Sequence, residues 1–152
     1  MDRQNARRGP SLPRDYGKDP LVIDIDRAAK INPTYRTALW TGEFLQVTLM
    51  SIPVGGDIGM EMHPDTDQFI RMESGYAMVT MGPGKDMQNV RRRIGEDDAV
   101  AVPAGTWHNI VNIGRIPLKL YSVYAPPHHP FGTVHQTKED AEPTVSAANQ
   151  SK

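Results

Sequence analysis

Two short segments of this 152-residue chain carry side chains that could bind a metal ion. In the first, the carboxylate of Glu61 and the imidazole of His63 are separated by one residue, and the amide of Gln68 follows soon after. In the second, His108 follows a Pro-Ala-Gly turn sequence. Imidazole nitrogens and carboxylate and amide oxygens are good ligands for divalent metals. These residues indicate a small metalloprotein with a binding pocket.

The spacing of the first segment suits an extended strand that ends in a turn. Successive side chains of a strand alternate between two faces, so Glu61 and His63 would project from the same side. A turn at residues 64–67 would let the chain run back antiparallel, with Gln68 facing the same interior. Whether His108 meets these three residues depends on the fold, which the local pattern leaves open.

The rest of the chain is patterned as short strands separated by turns. Polar and apolar residues alternate, and Gly, Pro, Asp and Asn interrupt the strand-like runs at regular intervals. This pattern is typical of an all-β sandwich or barrel, and only residues 26–31 are predicted to be helical. Strands are predicted at residues 45–52, 68–72, 76–81, 99–102, 109–113 and 118–124.

The length and the ends of the chain predict one domain between two polar segments. A chain of this size is large enough to bury a continuous core as one domain. Residues 1–20 offer little apolar surface to bury and are predicted to be a flexible or loosely docked arm. Residues 138–152 are predicted to be a flexible tail for the same reason. The single domain is therefore expected at residues 21–137.

Composition and charge exclude several kinds of partner. The formal net charge is −1 and the lysines and arginines are scattered, so a nucleic-acid partner is not expected. No run approaches the ~20 apolar residues of a membrane span, and no signal-peptide core is visible, so the chain is predicted to be cytoplasmic with no membrane partner. Because the chain has no cysteine, any bound metal would have nitrogen and oxygen ligands only.

The two metal-binding segments resemble the paired sequence motifs of the cupin superfamily. In residues 56–75, Glu61 and His63 occupy the two His places of the first motif, and Gln68 occupies its Glu place. The second motif is reproduced by Gly95, Pro103, Gly105, His108 and Asn112. The resemblance implies a double-stranded β-helix, or jelly-roll, barrel in which Glu61, His63, Gln68 and His108 surround one metal ion.

The ligand set departs from the three-His, one-Glu set common in cupins. Glu61 replaces a His and neutral Gln68 replaces the Glu, so one interpretation is a decayed site that binds no metal. The other is that the carboxylate has moved across the site, because the total ligand charge of −1 is retained. We favour the second interpretation and expect a divalent ion that accepts nitrogen and oxygen ligands, namely Mn, Fe, Zn, Ni or Co.

Residues 35–42 and 124–135 further resemble the small bacterial cupins described as mannose-6-phosphate-isomerase-like. That resemblance implies a metal-dependent protein acting on a small oxygenated, carbohydrate-like molecule by isomerase or lyase chemistry. A two-His, one-carboxylate group alternatively suits an Fe(II)-dependent dioxygenase. A module that binds or senses a small molecule without turnover is the third alternative. The family resemblance also implies a homodimer, and no catalytic residue beyond the metal ligands is assigned.

Other polar residues near these segments have simpler explanations. His128, His129 and His135 lie in a Pro-rich segment predicted to wrap the barrel or meet a second subunit, with closure of the pocket mouth as the alternative. Arg71 could contact a bound anion, but a strand arginine more often forms a surface salt bridge. Asp67 could orient His63 or act as a base, although its position in a turn is a sufficient explanation.

Overall fold

The computed structural model describes residues 14–142, and β-strands dominate them. Six strands form one antiparallel sheet and three form another, as the all-β prediction required. Six of the nine strands match predicted ones, whereas β1, β5 and β9 were not anticipated. The elements are α1 (Ile25–Ile31), β1 (Arg36–Thr41), β2 (Gln46–Ile52), β3 (Asp67–Ser74), β4 (Ala77–Gly82), β5 (Val90–Ile94), β6 (Ala99–Val102), β7 (Trp107–Asn112), β8 (Leu118–Ala125), β9 (Val134–His135) and α2 (Lys138–Ala141).

The two sheets face each other across one apolar core. The larger sheet has the order β6-β3-β8-β2-β1-β9 and the smaller has the order β5-β4-β7. Alternate residues of both sheets point inward, including Ile52 and Leu118 from the larger sheet and Val79 and Ile110 from the smaller. Burial of these apolar side chains joins the sheets into the predicted double-stranded β-helix barrel.

Helix α1 covers the outer face of the larger sheet. Its first turn is capped by the Asp24 side chain, which accepts a hydrogen bond of 3.1 Å from the Arg27 amide. Ala29 packs in a second small cluster with Leu39 and Leu49. As a result, β1 is buried on both faces, one against the core and the other beneath the helix.

A segment before β3 extends the smaller sheet without forming a regular strand. The Ile58 amide donates to the Ile110 carbonyl at 3.1 Å. Glu61 and His108 exchange two backbone hydrogen bonds of 3.0 and 2.9 Å. Residues 57–61 therefore lie beside β7, which brings the two candidate metal-binding segments together.

The predicted terminal segments lie partly outside the described residues. Of the predicted arm, residues 1–13 fall outside, whereas the Tyr16 amide donates to the Leu39 carbonyl at 2.9 Å. Of the predicted tail, residues 143–152 fall outside, whereas Lys138 at the start of α2 forms an ion pair with Asp57. Neither helix in residues 14–142 has the length and apolar character needed to cross a membrane.

Candidate metal site

Glu61, His63 and His108 converge at one end of the barrel. Each offers one donor atom, and the three atoms lie within 4.8 Å of one another. Glu61 Oε1 is 3.3 Å from Nε2 of both His63 and His108. The position of His108, which the sequence alone left open, is therefore beside the other two. Among residues 14–142, no second group of three such side chains comes equally close.

Backbone and turn contacts hold the two segments in register. The Gly105 amide donates to the His63 carbonyl at 2.8 Å, and Gly105 has a positive φ of 82° that favours glycine. Asp67 Oδ1 accepts from the Ala104 amide at 2.8 Å, which ties the same turn to the start of β3. Asp67 therefore has a structural role, as favoured above, but its partner lies 37 positions away and not in its own turn.

The two histidine rings present unpaired nitrogens to the centre of the group. His108 Nδ1 lies 3.0 Å from the Thr106 carbonyl oxygen, to which a protonated Nδ1 donates. This contact fixes the tautomer in which Nε2 carries a lone pair. Nε2 of both His63 and His108 is buried without a hydrogen bond, although Glu61 Oε1 is 3.3 Å away from each. A cation shared between the two nitrogens would satisfy both.

Gln68 faces the same interior and is oriented by two hydroxyl groups. It lies on β3 opposite Tyr124 of β8. Its Nε2 donates to Ser122 Oγ and to Tyr124 Oη, both at 3.2 Å. Gln68 Oε1 is buried and has no hydrogen-bond partner, and the Tyr124 ring lies 5.8 Å from the His63 ring. The amide oxygen of Gln68 therefore has no partner among the described residues, and its role as the fourth donor stays a prediction.

The charge of the group is that of one carboxylate. Burial raises the pKa of Glu61, but the imidazoles of His108 and His63, which pair with this carboxylate when their Nε2 atoms are protonated, outweigh this effect and lower it to about 2. Glu61 is therefore ionised at neutral pH beside the two buried imidazoles, whose Nε2 protons a metal ion would replace. This donor set, with nitrogen and oxygen ligands and a charge of −1, fits a divalent metal ion.

The group opens toward solvent on the Glu61 side. The Glu61 side chain is 27% exposed, whereas that of His108 is 1% exposed, so a small molecule would approach past Glu61. At this mouth, the exposed His128 ring packs 4.1 Å from the His63 ring. His128 thus lies where the pocket-closing alternative would place it.

Hydrogen bonds to a buried side chain hold the Pro-rich segment across the end of the barrel. Gln46 Oε1 accepts from the amides of His129 and His128, at 2.9 and 3.3 Å. Gln46 Nε2 donates to the His129 carbonyl at 2.9 Å. The segment therefore wraps the barrel, which is the arrangement predicted for it.

The structure places two arginines whose orientation the sequence alone did not determine. Arg71 pairs with Asp97 at 2.9 Å and with Glu73 at 3.4 Å on the outer face, which is the salt-bridge role favoured above. Arg36 instead points into the barrel and is buried. Sequence reasoning missed Arg36, because its inward orientation follows from the register of β1 and gives no local signal.

Comparisons with known proteins agree with this geometry. The family model described as Cupin domain matches residues 48–124. Protein YrkC of Bacillus subtilis strain 168 is 60% identical over 130 residues, which cover 86% of this chain and 70% of YrkC. A protein of Acanthamoeba polyphaga mimivirus is 40% identical over 114 residues, which cover 74% of this chain and 69% of that protein. The crystal structure of BH2720 from Bacillus halodurans superposes with a TM-score of 0.83 at 54% identity, covering 84% of this chain and 97% of that one.

Proposed function

This chain belongs to the cupin domain family, and from that premise we propose that it is a metal-dependent enzyme acting on a small oxygenated molecule. Glu61, His63 and His108, with Gln68, would hold one divalent ion. The observation that carries the proposal is the convergence of one carboxylate oxygen and two imidazole nitrogens within 4.8 Å of one another, with both Nε2 atoms buried beside Glu61.

A bound divalent ion would supply Lewis-acid chemistry by polarising a carbonyl or hydroxyl group of the small molecule. Four protein donors leave room for the molecule around an ion that prefers six ligands. The opening beside Glu61 gives access to the site. This combination supports the isomerase or lyase chemistry expected of the mannose-6-phosphate-isomerase-like branch, with a carbohydrate-like molecule as one candidate substrate.

Isomerase or lyase chemistry also needs a group that moves a proton. The His128 imidazole is exposed at the mouth and packs on the ligand His63, so it lies where an entering molecule would touch it. The Tyr124 side chain is buried, and burial raises the pKa of its hydroxyl to about 12. Tyr124 therefore keeps its proton at neutral pH and serves to orient Gln68. We assign the proton-moving role to His128.

A second candidate function is that of an Fe(II)-dependent dioxygenase. The observation that favours it is the two-His, one-carboxylate composition of the closest three donors, which is the ligand type of many non-haem iron oxygenases. Under this alternative, Gln68 would orient the site through Ser122 and Tyr124 without binding the ion. The two functions differ in whether oxygen is consumed.

The first test is the metal content of protein purified without added metal. We expect close to one divalent ion per chain in the wild type and its loss in both Glu61→Ala and His108→Ala. Glu43→Ala, which changes an exposed carboxylate in the β1–β2 turn, is the matched control and should retain the metal. Full metal retention in both ligand variants would overturn the assignment.

Assays of proton exchange and oxygen uptake then distinguish the three candidate functions. Protein loaded anaerobically with Mn, Zn or Ni is incubated in D2O with hydroxy-carbonyl compounds, and deuterium incorporation is followed by NMR. Protein loaded with Fe(II) is tested for oxygen uptake with diketones and phenols. We expect deuterium incorporation that is lost in His128→Ala while the metal is retained. Oxygen uptake without proton exchange would support the dioxygenase, and binding without either would support a non-catalytic module.

A further inference from the structure

A buried guanidinium inside the barrel has no carboxylate partner. Arg36 is 5% exposed and is the only lysine or arginine among the buried residues that the structure describes. No ion pair within residues 14–142 involves it. Its Nε is buried and makes no hydrogen bond. A buried charge without a counter-charge is costly, so an arginine kept in this state calls for a physical explanation.

The register of β1 and β2 turns Arg36 toward the interior. Thr37 pairs with Leu49, which packs in the outer cluster beneath α1, so the neighbouring Arg36 faces the opposite way. Arg36 Nη2 accordingly lies 3.9 Å from Sδ of Met50, a residue of the main core. Arg36 Nη1 lies 3.3 Å from His135 Nδ1. None of these neighbours carries a negative charge.

A series of aromatic rings connects Arg36 with the candidate metal site. The His135 ring lies 6.3 Å from the His129 ring, which lies 5.2 Å from the Tyr124 ring. The Tyr124 ring in turn lies 5.8 Å from the ligand His63. Arg36 is therefore connected to the ligand His63 by a series of neighbouring side chains, and His129 Nε2 within this series is also buried and unpaired.

Glu61 and Arg36 carry opposite charges in this part of the protein, so a divalent ion at the candidate site would leave it with an excess of positive charge. Burial and the nearby Arg36 lower the pKa of His129 to about 3, so His129 is neutral. Glu61 is engaged with the two imidazoles 3.3 Å away, and a divalent ion bound there would add more positive charge. The missing negative charge would have to come from a bound molecule.

We infer that Arg36 binds the carboxylate of a small organic acid whose hydroxyl or carbonyl oxygen faces the metal ligands. This inference rests on the proposed function and specifies its substrate class. A planar carboxylate matches the guanidinium fork and balances its single charge. Arg36 is therefore assigned as a residue that sets specificity for an acid over the corresponding polyol.

The test observes the unpaired Nε of Arg36 directly. Zn-loaded, ¹⁵N-labelled protein is titrated with glycolate, glycerate and gluconate, with ethylene glycol, glycerol and glucose as uncharged counterparts, and with inorganic phosphate. The Arg36 Nε–H resonance is identified by its loss in Arg36→Lys. We expect at least one acid to shift this resonance and none of the uncharged compounds to do so. A shift by phosphate alone, by uncharged compounds equally, or by no compound would overturn the inference.

A variant separates a binding role from a structural one. Arg36→Met removes the charge but keeps a long side chain, so we expect an unchanged zinc content, an undiminished melting temperature and at least 10-fold weaker binding of the acid. Arg71→Met, at the exposed and paired arginine, is the matched control and should bind the acid as the wild type does. Unchanged acid binding in Arg36→Met, or a lowered melting temperature in that variant when no acid binds the wild type, would show a structural role instead.

Repeating the titration after removal of the metal distinguishes the two proposals. If the wild type takes up no metal ion and an acid still shifts the Arg36 resonance, the anion site is sustained and the proposed function is overturned. A protein with a full complement of zinc that binds no acid would overturn the anion site alone.

Discussion

Replacement of Glu61 by Gln tests whether the charge of the candidate metal site holds the ion. The substitution keeps the shape of the side chain and removes the one negative charge among the four donors. Glu61 Oε1 is also the atom that lies 3.3 Å from both imidazole nitrogens, so the loss is at the centre of the group. Loss of outer-shell partners of metal ligands costs about 10–100-fold in affinity, so we expect at least about 100-fold for this direct ligand.

The expected effect on thermal stability follows from linkage. At a metal concentration about 100 times the wild-type dissociation constant, binding stabilises the fold by about 2.7 kcal/mol. For a domain of this size, that energy raises the melting temperature by roughly 5–11 °C. A 100-fold weaker site at the same concentration contributes only about 0.4 kcal/mol, or roughly 1 °C.

The assay compares melting temperatures in metal and in excess chelator, for the wild type and for Glu61→Gln. Taking the difference for each protein cancels any effect of the substitution on the metal-free fold. Glu43→Gln, at an exposed carboxylate of the β1–β2 turn, should show the full wild-type difference. Retention of the full difference in Glu61→Gln would refute the reasoning, as would a wild type that responds to none of Mn, Fe, Co, Ni and Zn.

Four further predictions concern the frame of the site. Gly75→Ala should lower the free energy of unfolding by about 1–3 kcal/mol in urea denaturation, because Gly75 has a φ of 93° and a Cβ there would lie 2.9 Å from Leu118 Cδ2; an unchanged midpoint would contradict the described turn. Asn112→Ala should cost about 2–4 kcal/mol by the same measurement, since the buried side chain makes three hydrogen bonds, two of them donated to the carbonyls of Ile52 and Ile116; Asn112→Asp, which would set a buried carboxylate oxygen against those two carbonyls, should cost at least as much, and an unchanged midpoint in both variants would contradict the described bonds. Burial raises the pKa of Asp57, but hydrogen bonds led by that of Lys138 lower it below 3.8, so this pair should stabilise the protein above about pH 4 and less as the pH falls further; the difference in melting temperature between wild type and Asp57→Asn should shrink on acidification, and a constant difference would contradict the pairing. Light scattering should give about twice the chain mass of 16.9 kDa if the predicted homodimer forms, and a monomer mass at all concentrations would overturn that prediction.

Local sequence patterns predicted the strands that alternate between core and solvent and missed those that do not. β8 alternates buried and half-buried residues along its length, so its periodicity was visible in the sequence. β1 is buried on nearly every residue because α1 covers its outer face, and β5 is exposed on four of its five residues. Neither strand has a period of two, so tertiary context alone defines them.

The candidate site was predictable in its residues and not in its geometry. The paired motifs identified Glu61, His63 and His108 because the spacing within each segment is local. The contact between the segments is a backbone pairing of Glu61 with His108 across 47 positions, which no local rule provides. The orientation of Gln68 depends on hydroxyl groups of β8, and the inward direction of Arg36 depends on its register with β2. Sequence reasoning therefore found the three residues that converge at the candidate metal site and overlooked Arg36.

The hydrogen bond from the Gly105 amide to the His63 carbonyl links the two donor-bearing loops through protein atoms alone. Folding of the chain therefore brings the candidate donors together, and binding of an ion would not be needed to arrange them. If the proposed ion binds, the metal-free protein should already be folded and should accept different ions in turn. Exchange of one metal for another should then change reactivity without rebuilding the barrel.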